Sequence, residues 1–205
     1  MLKYVVLLYI LVSGLYASNQ FIIDDDSLID KRAEKKIFEI GSEVKQKLGV
    51  NIYISLKEDN GIDPELDIKQ RRVMMKQYEN TIRNKVQKPY VVLAISINQM
   101  YANVLYSQDL QKVIDRDDIL DNYVIPLLAS KDKNSLFAKS SAATLNGYAQ
   151  IADSLAAAKN IKLKSSIGSE GKVASSVWKV FMYSVVVFGI LAYIAIVMRE
   201  RKYTK

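Results

Sequence analysis

Any chemistry in this chain of 205 residues has to be done without histidine or cysteine, because it contains neither. That removes thiol nucleophiles, disulfides, Ser-His-Asp triads and the ordinary zinc, copper and haem sites. What remains in suggestive spacing is carboxylate: the run Asp24-Asp25-Asp26, and five aspartates between Asp109 and Asp121. Clustered carboxylates repel unless a cation or donors compensate them, and hard oxygen ligands suit Ca2+ or Mg2+. The stretches Asp24 to Asp26 and Asp115 to Asp118 are therefore the candidate metal-binding carboxylates. The plainer account has the same aspartates capping helices, where they favour the positive N-terminal ends. No nucleophile with an evident base accompanies them, and only Arg116 or Lys112 offers donors for a transferring phosphoryl group.

The elements that would position these residues are bracketed by two apolar segments. Residues Met1 to Ala17 carry Lys3, an apolar run and small residues before Ala17, the form of a secretory signal, so the mature chain is predicted to begin at Ser18. Val180 to Met198 contains no charged residue and is long enough for a helix to cross a hydrocarbon core about 30 Å thick. Trp178, Tyr183 and Tyr193 can sit at headgroup depth, and Arg199, Arg201, Lys202 and Lys205 form a basic stop. The expected layout is signal 1–17, folded domain 18–159, Lys/Ser/Gly-rich tether 160–176, transmembrane helix 177–198 and cytoplasmic tail 199–205. The bilayer is thus the first expected partner, with the domain on the periplasmic side of a bacterial inner membrane. Of the formal charge of +7, the tail holds +3 and Lys3 +1, which leaves +3 for the rest of the chain and gives nucleic acid no support as a partner.

Within the domain, Ser27 followed by Asp30 marks a helix start, and Ala33, Ile37, Ile40, Val44 and Leu48 form one apolar stripe closed by Gly49. Val50 to Leu56 alternates as a strand with one buried face. Asp63-Pro64 predicts a second helix to about Val86, with Ile68, Met75, Tyr78, Ile82 and Val86 inward and a basic outer face of Lys69, Arg71, Arg72, Lys76, Arg83 and Lys85. A solvated face explains those cations; docking on anionic headgroups or an acidic partner is the functional alternative. Tyr90 to Ile97 is a continuous apolar run, as in a central strand, and Met100 to Ser107 returns as the second arm of an antiparallel hairpin. Pro126 ends or bends a helix after the aspartates, and a last helix from about Asn134 to Lys159 carries Ala138, Ala142, Leu145, Ala149, Ala152 and Leu155 as its stripe. The order predicts an α/β fold: a three-layer α/β/α sandwich on a small mixed sheet, monomeric in solution, plus one C-terminal transmembrane helix.

The lead-in IIDDDSLID, the helix closing in LGVNIYISL, the hairpin YVVLAISINQMYANVLYS and the segment VIDRDDILDNYVIPLL are similar to their counterparts in the TPM-domain family. The resemblance covers about Phe21 to Lys159. It implies an exported domain with an acidic pocket at one sheet edge, which in some relatives binds divalent metal or hydrolyses phosphomonoesters and in photosynthetic ones assists repair of a membrane complex. On that resemblance Asp24 matches the lead-in aspartate, and Asp115 or Asp118 stands near the acidic position before the proline helix. Where the family carries an Asn-Gly pair before the central strand and a glycine-rich run after the hairpin, this chain reads QKPYVV and LYSQDLQKV. The expectation is a tethered accessory or interaction domain serving assembly or maintenance of an envelope complex, with a membrane or envelope protein as partner. The alternative is a divalent-metal-dependent phosphatase of the same fold.

Overall fold

Alternation along the central strand sorts the buried apolar residues of the described domain into two cores, one on each face of a four-stranded sheet. The computed structural model describes residues 19–167, so the expected signal and the apolar segment 180–198 lie outside the described residues. Among the described residues no helix is long and apolar enough to cross a membrane.

Strands β1 (Ile22–Asp24), β2 (Asn51–Lys57), β3 (Tyr90–Ser96) and β4 (Tyr101–Tyr106) lie across the sheet in chain order. The first three are parallel, and β4 runs antiparallel to β3. Parallel neighbours need crossovers, and helices α1 (Lys31–Leu48) and α2 (Ile68–Arg83) provide them. Val91, Leu93 and Ile95 of β3 join α1 in the larger core, whereas Tyr90, Val92 and Ala94 join Ile82 of α2 in the smaller one. The two crossovers advance in the same direction yet land on opposite faces, so they have opposite hands and one departs from the usual right-handed rule. The larger core is completed by α3 (Arg116–Ile119), a π-turn at Leu120–Val124, α4 (Ile125–Leu128) and the long α5 (Leu136–Ala158). A mixed α/β domain with a four-stranded sheet and helices on both faces is the result.

The local causes are legible. The Asp30 carboxylate accepts from the N–H groups of Arg32 and Ala33 and so caps α1; Ser27, the expected cap, sits three residues outside in a left-handed conformation. Gly49 closes α1 at φ 70°, its N–H donating to Lys45 O at 3.1 Å. The whole predicted stripe from Ala33 to Leu48 is buried. In the α3–α4 stretch the π-turn widens the helix just ahead of Pro126, which has no N–H to give, so the proline bends the path without ending it.

Four expectations are corrected. Asp63 and Pro64 form a turn outside α2, whose cap is Asp67, accepting from Lys69 N–H at 2.9 Å. Ile68 is 65% exposed, so the contact of α2 with the sheet rests on Tyr78 and Ile82 in its second half and on Val86 just beyond its end. In α5 the expected Ala138 and Ala142 are exposed; the buried stripe runs through Ser140, Ser141, Thr144, Gly147, Tyr148 and Ile151. Finally, the domain does not end at Lys159. Leu163 is buried, and the Glu43 carboxylate accepts from the N–H groups of Lys164 and Ser165, so residues 160–165 belong to the fold and not to a tether.

Candidate functional site

The candidate metal ligands are distributed across the sheet. Asp24 ends β1 at one sheet edge, where Lys85 Nζ lies 3.4 Å away and Lys57 Nζ 4.0 Å away; Lys57 also reaches Asp26 at 3.7 Å. Asp26 accepts from Glu58 N–H at 3.0 Å, and Asp25 from Ser27 N–H at 3.2 Å. The aspartate run therefore spends its oxygens on two lysines, on its own loop and on the main chain just after β2. Asp115 caps α3 by accepting from Asp118 N–H at 3.0 Å. Asp118 accepts from Asn122 Nδ2 at 2.9 Å and Gln150 Nε2 at 3.4 Å. α3 touches β4, at the edge opposite β1, so two intervening strands lie between this edge and the one that carries Asp24. The structure brings Asp115 and Asp118 together and leaves Asp24 apart. Among the described residues there is no group of three acidic side chains that could hold a metal ion.

One concavity of the described surface has the opposite charge. Between α2 and β4 runs a groove of about 800 Å³ lined by Arg71, Arg72, Lys76, Arg83 and Arg116, with Glu79 as its one acid. The sequence explains the cations: α2 rests on the sheet only through its second half, so its first half stands clear and keeps long basic side chains in water. Glu79 is already committed. Its Oε1 accepts from Tyr101 Oη and from Asn103 Nδ2, both at 2.8 Å, and its Oε2 lies 3.5 Å from Arg83. Burial, and then the adjacent Glu79 carboxylate, push the Tyr101 hydroxyl well above its ordinary range, so it stays a neutral donor. Tyr101 also meets Tyr78 edge to face at 6.4 Å, and this fixes the groove floor.

The far wall of the groove is the edge strand β4. Ser107 N–H donates to Tyr90 O, so with the observed register the residues bonded to β3 are Tyr101, Asn103 and Leu105. Ala102, Val104 and Tyr106 consequently turn their main-chain groups outward. One of these is provisionally closed: Val104 N–H donates to Asn103 Oδ1 at 2.9 Å, in a side chain whose amide is held by Glu79. A groove of this kind can bind an anion by charge and an extended chain by its open edge; it contains no nucleophile paired with a base.

Sequence reasoning located the basic face of α2 and named Arg116 only as a donor for a phosphoryl group; it missed the strand edge and the tertiary placement that brings Arg116 beside that face. The available signal was Glu79, a lone acid among cations, together with Tyr101 and Asn103 at alternate positions of the hairpin's second arm.

In fold the chain is similar to the N-terminal domain of a protein from P. gingivalis, with a TM-score of 0.52 at 13% identity over 72% of this chain and 88% of that one. The BA42 protein from Bizionia argentinensis gives a TM-score of 0.41 at 15% identity, over 69% of this chain and 90% of the other. The first likeness shows a shared mixed α/β fold and nothing about activity. No family model matches the sequence, and no curated protein matches it.

Proposed function

We propose that the protein is a TPM-like accessory domain, tethered to a bacterial inner membrane by the apolar segment 180–198 and exposed on the periplasmic side, where it binds an anionic partner of an envelope complex. The observation that carries this reading is the basic groove between α2 and β4, set against aspartates already used in caps, loop contacts and ion pairs. The resemblance of the segments from Phe21 to Lys159 to the TPM-domain family supports the family part of the proposal. The apolar run and its basic stop support the tether.

The test is purification of the full-length protein from its host membrane in mild detergent, as wild type and as Arg72→Glu/Lys76→Glu. A membrane or envelope protein that accompanies the wild type and is lost from the variant is expected. Equal recovery with both would overturn the groove as binding face. A phosphomonoesterase activity that requires divalent metal and disappears in Asp118→Asn would replace this reading with the enzymatic one.

A further inference from the structure

We infer that the groove takes an extended acidic segment of a partner protein, which joins the sheet as a fifth strand alongside β4. The inference rests on the proposed role of the groove as binding face and adds what fills it. Two independent features converge there. The first is charge: Arg71, Arg72 and Lys76 project from α2 on one side of the edge, and Arg116 comes from α3 on the other, so an incoming strand meets cations on both of its faces. Side chains of a strand alternate between faces, and carboxylates on both would be matched.

The second feature is the edge itself. Ala102, Val104 and Tyr106 direct main-chain donors and acceptors away from β3, in the spacing that a further strand uses. Exposed edges are commonly blunted to prevent unwanted pairing, and here the blunting is removable. Asn103 Oδ1 covers the Val104 N–H from a side chain, and a rotation of that side chain frees the donor without disturbing the ladder to β3. An acidic helix or a flat lipid surface would meet the cations but leave the edge groups unused.

Because the chain has no cysteine, a single introduced cysteine gives one labelling site on the full-length protein in detergent. The probe is a synthetic peptide of repeating Glu-Glu-Val-Val, which puts carboxylates on both faces of an extended strand, compared with a peptide of equal charge in which proline replaces both valines of each repeat. Fluorescence anisotropy should show the first binding about tenfold more tightly than the second, because proline has no N–H to give the edge. Binding should also weaken at least about tenfold in Arg72→Glu/Lys76→Glu, and fall as salt rises from about 0.1 M to about 1 M. Ala102→Pro, which removes an outward N–H and leaves every bond to β3 in place, should reproduce the loss with the fold intact by circular dichroism.

Equal binding of the two peptides would overturn strand addition, as would binding that ignores the charge reversal. Binding to phosphatidylglycerol vesicles with the same charge dependence and no peptide binding would assign the groove to lipid instead. Self-association abolished by the charge reversal would assign it to a second copy. If the peptides fail while the charge-sensitive partner still co-purifies, the proposed function stands and only strand addition falls.

Discussion

Gly147 lies where α5 crosses β3, and a Cβ built there would come within 2.6 Å of Val124 Cγ2 and 2.8 Å of Leu93 Cδ2. Gly147→Ala is therefore expected to destabilise the fold by about 1–3 kcal/mol, read as a lower midpoint of chemical denaturation. An unchanged midpoint would mean that α5 does not approach the sheet this closely. Val92 poses the complementary test on the other face. It is fully buried against α2, so Val92→Asp strands a charge in the smaller core and should cost on the order of several kcal/mol. Near-native thermal stability in that variant would show that the second core is not closed. At this scale the sequence was readable where a residue's neighbours are local: the stripe of α1, the Gly49 stop and the central run of β3 are all where periodicity put them. It was unreadable at Gly41 and Gly147, whose hydrogen atoms are required by Tyr148, Phe21, Leu93 and Val124 from distant parts of the chain.

Among the elements, the segment after α5 makes the most specific claim. Desolvation of Glu43 opposes its ionisation, but the Lys47 ammonium, the Ser165 hydroxyl and the N–H groups of Lys164 and Ser165 outweigh it and hold the carboxyl down at about 2, against 4.5 for a free glutamate. A folded-state value below the unfolded one stabilises the fold above pH 4.5, and that contribution is lost as pH falls through about 2. Melting temperatures measured between those limits should fall more steeply in the wild type than in Glu43→Gln, which lacks the titration. Parallel curves would remove Glu43 from the clasp. The same contacts predict that a chain cut after Lys159 melts lower than one cut after Ile167, since it loses buried Leu163 and the partners of Glu43. Composition misled the reading here: a Lys-, Ser- and Gly-rich stretch looks like a tether, yet one leucine and three main-chain and hydroxyl donors suffice to dock its first half. In α2 the period was right and the extent of contact was wrong: Ile68 in the first turn is 65% exposed, and the apolar contacts with the sheet come from Tyr78 and Ile82.

For the molecule as a whole, the absence of a three-carboxylate cluster among the described residues has a direct thermal consequence. Millimolar Ca2+ or Mg2+ is expected to leave the melting temperature unchanged within error, because a ligand stabilises a fold only if it binds the folded state. A saturable rise of several degrees, abolished by Asp118→Asn, would show that the aspartates gather around a cation after all. The layer architecture and the antiparallel hairpin were legible because βαβ order and apolar runs determine them. The placement of α1 and α2 on opposite faces was not, since the handedness of each crossover leaves no mark in periodicity. The groove shared that fate, being made of α2, β4 and α3 at once.

The pairing of α1 with α5 also sets an order of events. Asp30 N–H is bonded to Ser141 Oγ and Leu48 O to Lys159 Nζ, each across 111 residues of sequence, so the first helix finds its lid only when the last one exists. Such non-local closure is slow, because the loop entropy must be met before the contacts reward it. A chain threaded across a membrane with its N-terminus leading would therefore remain open, and able to thread, until nearly all of the domain had passed.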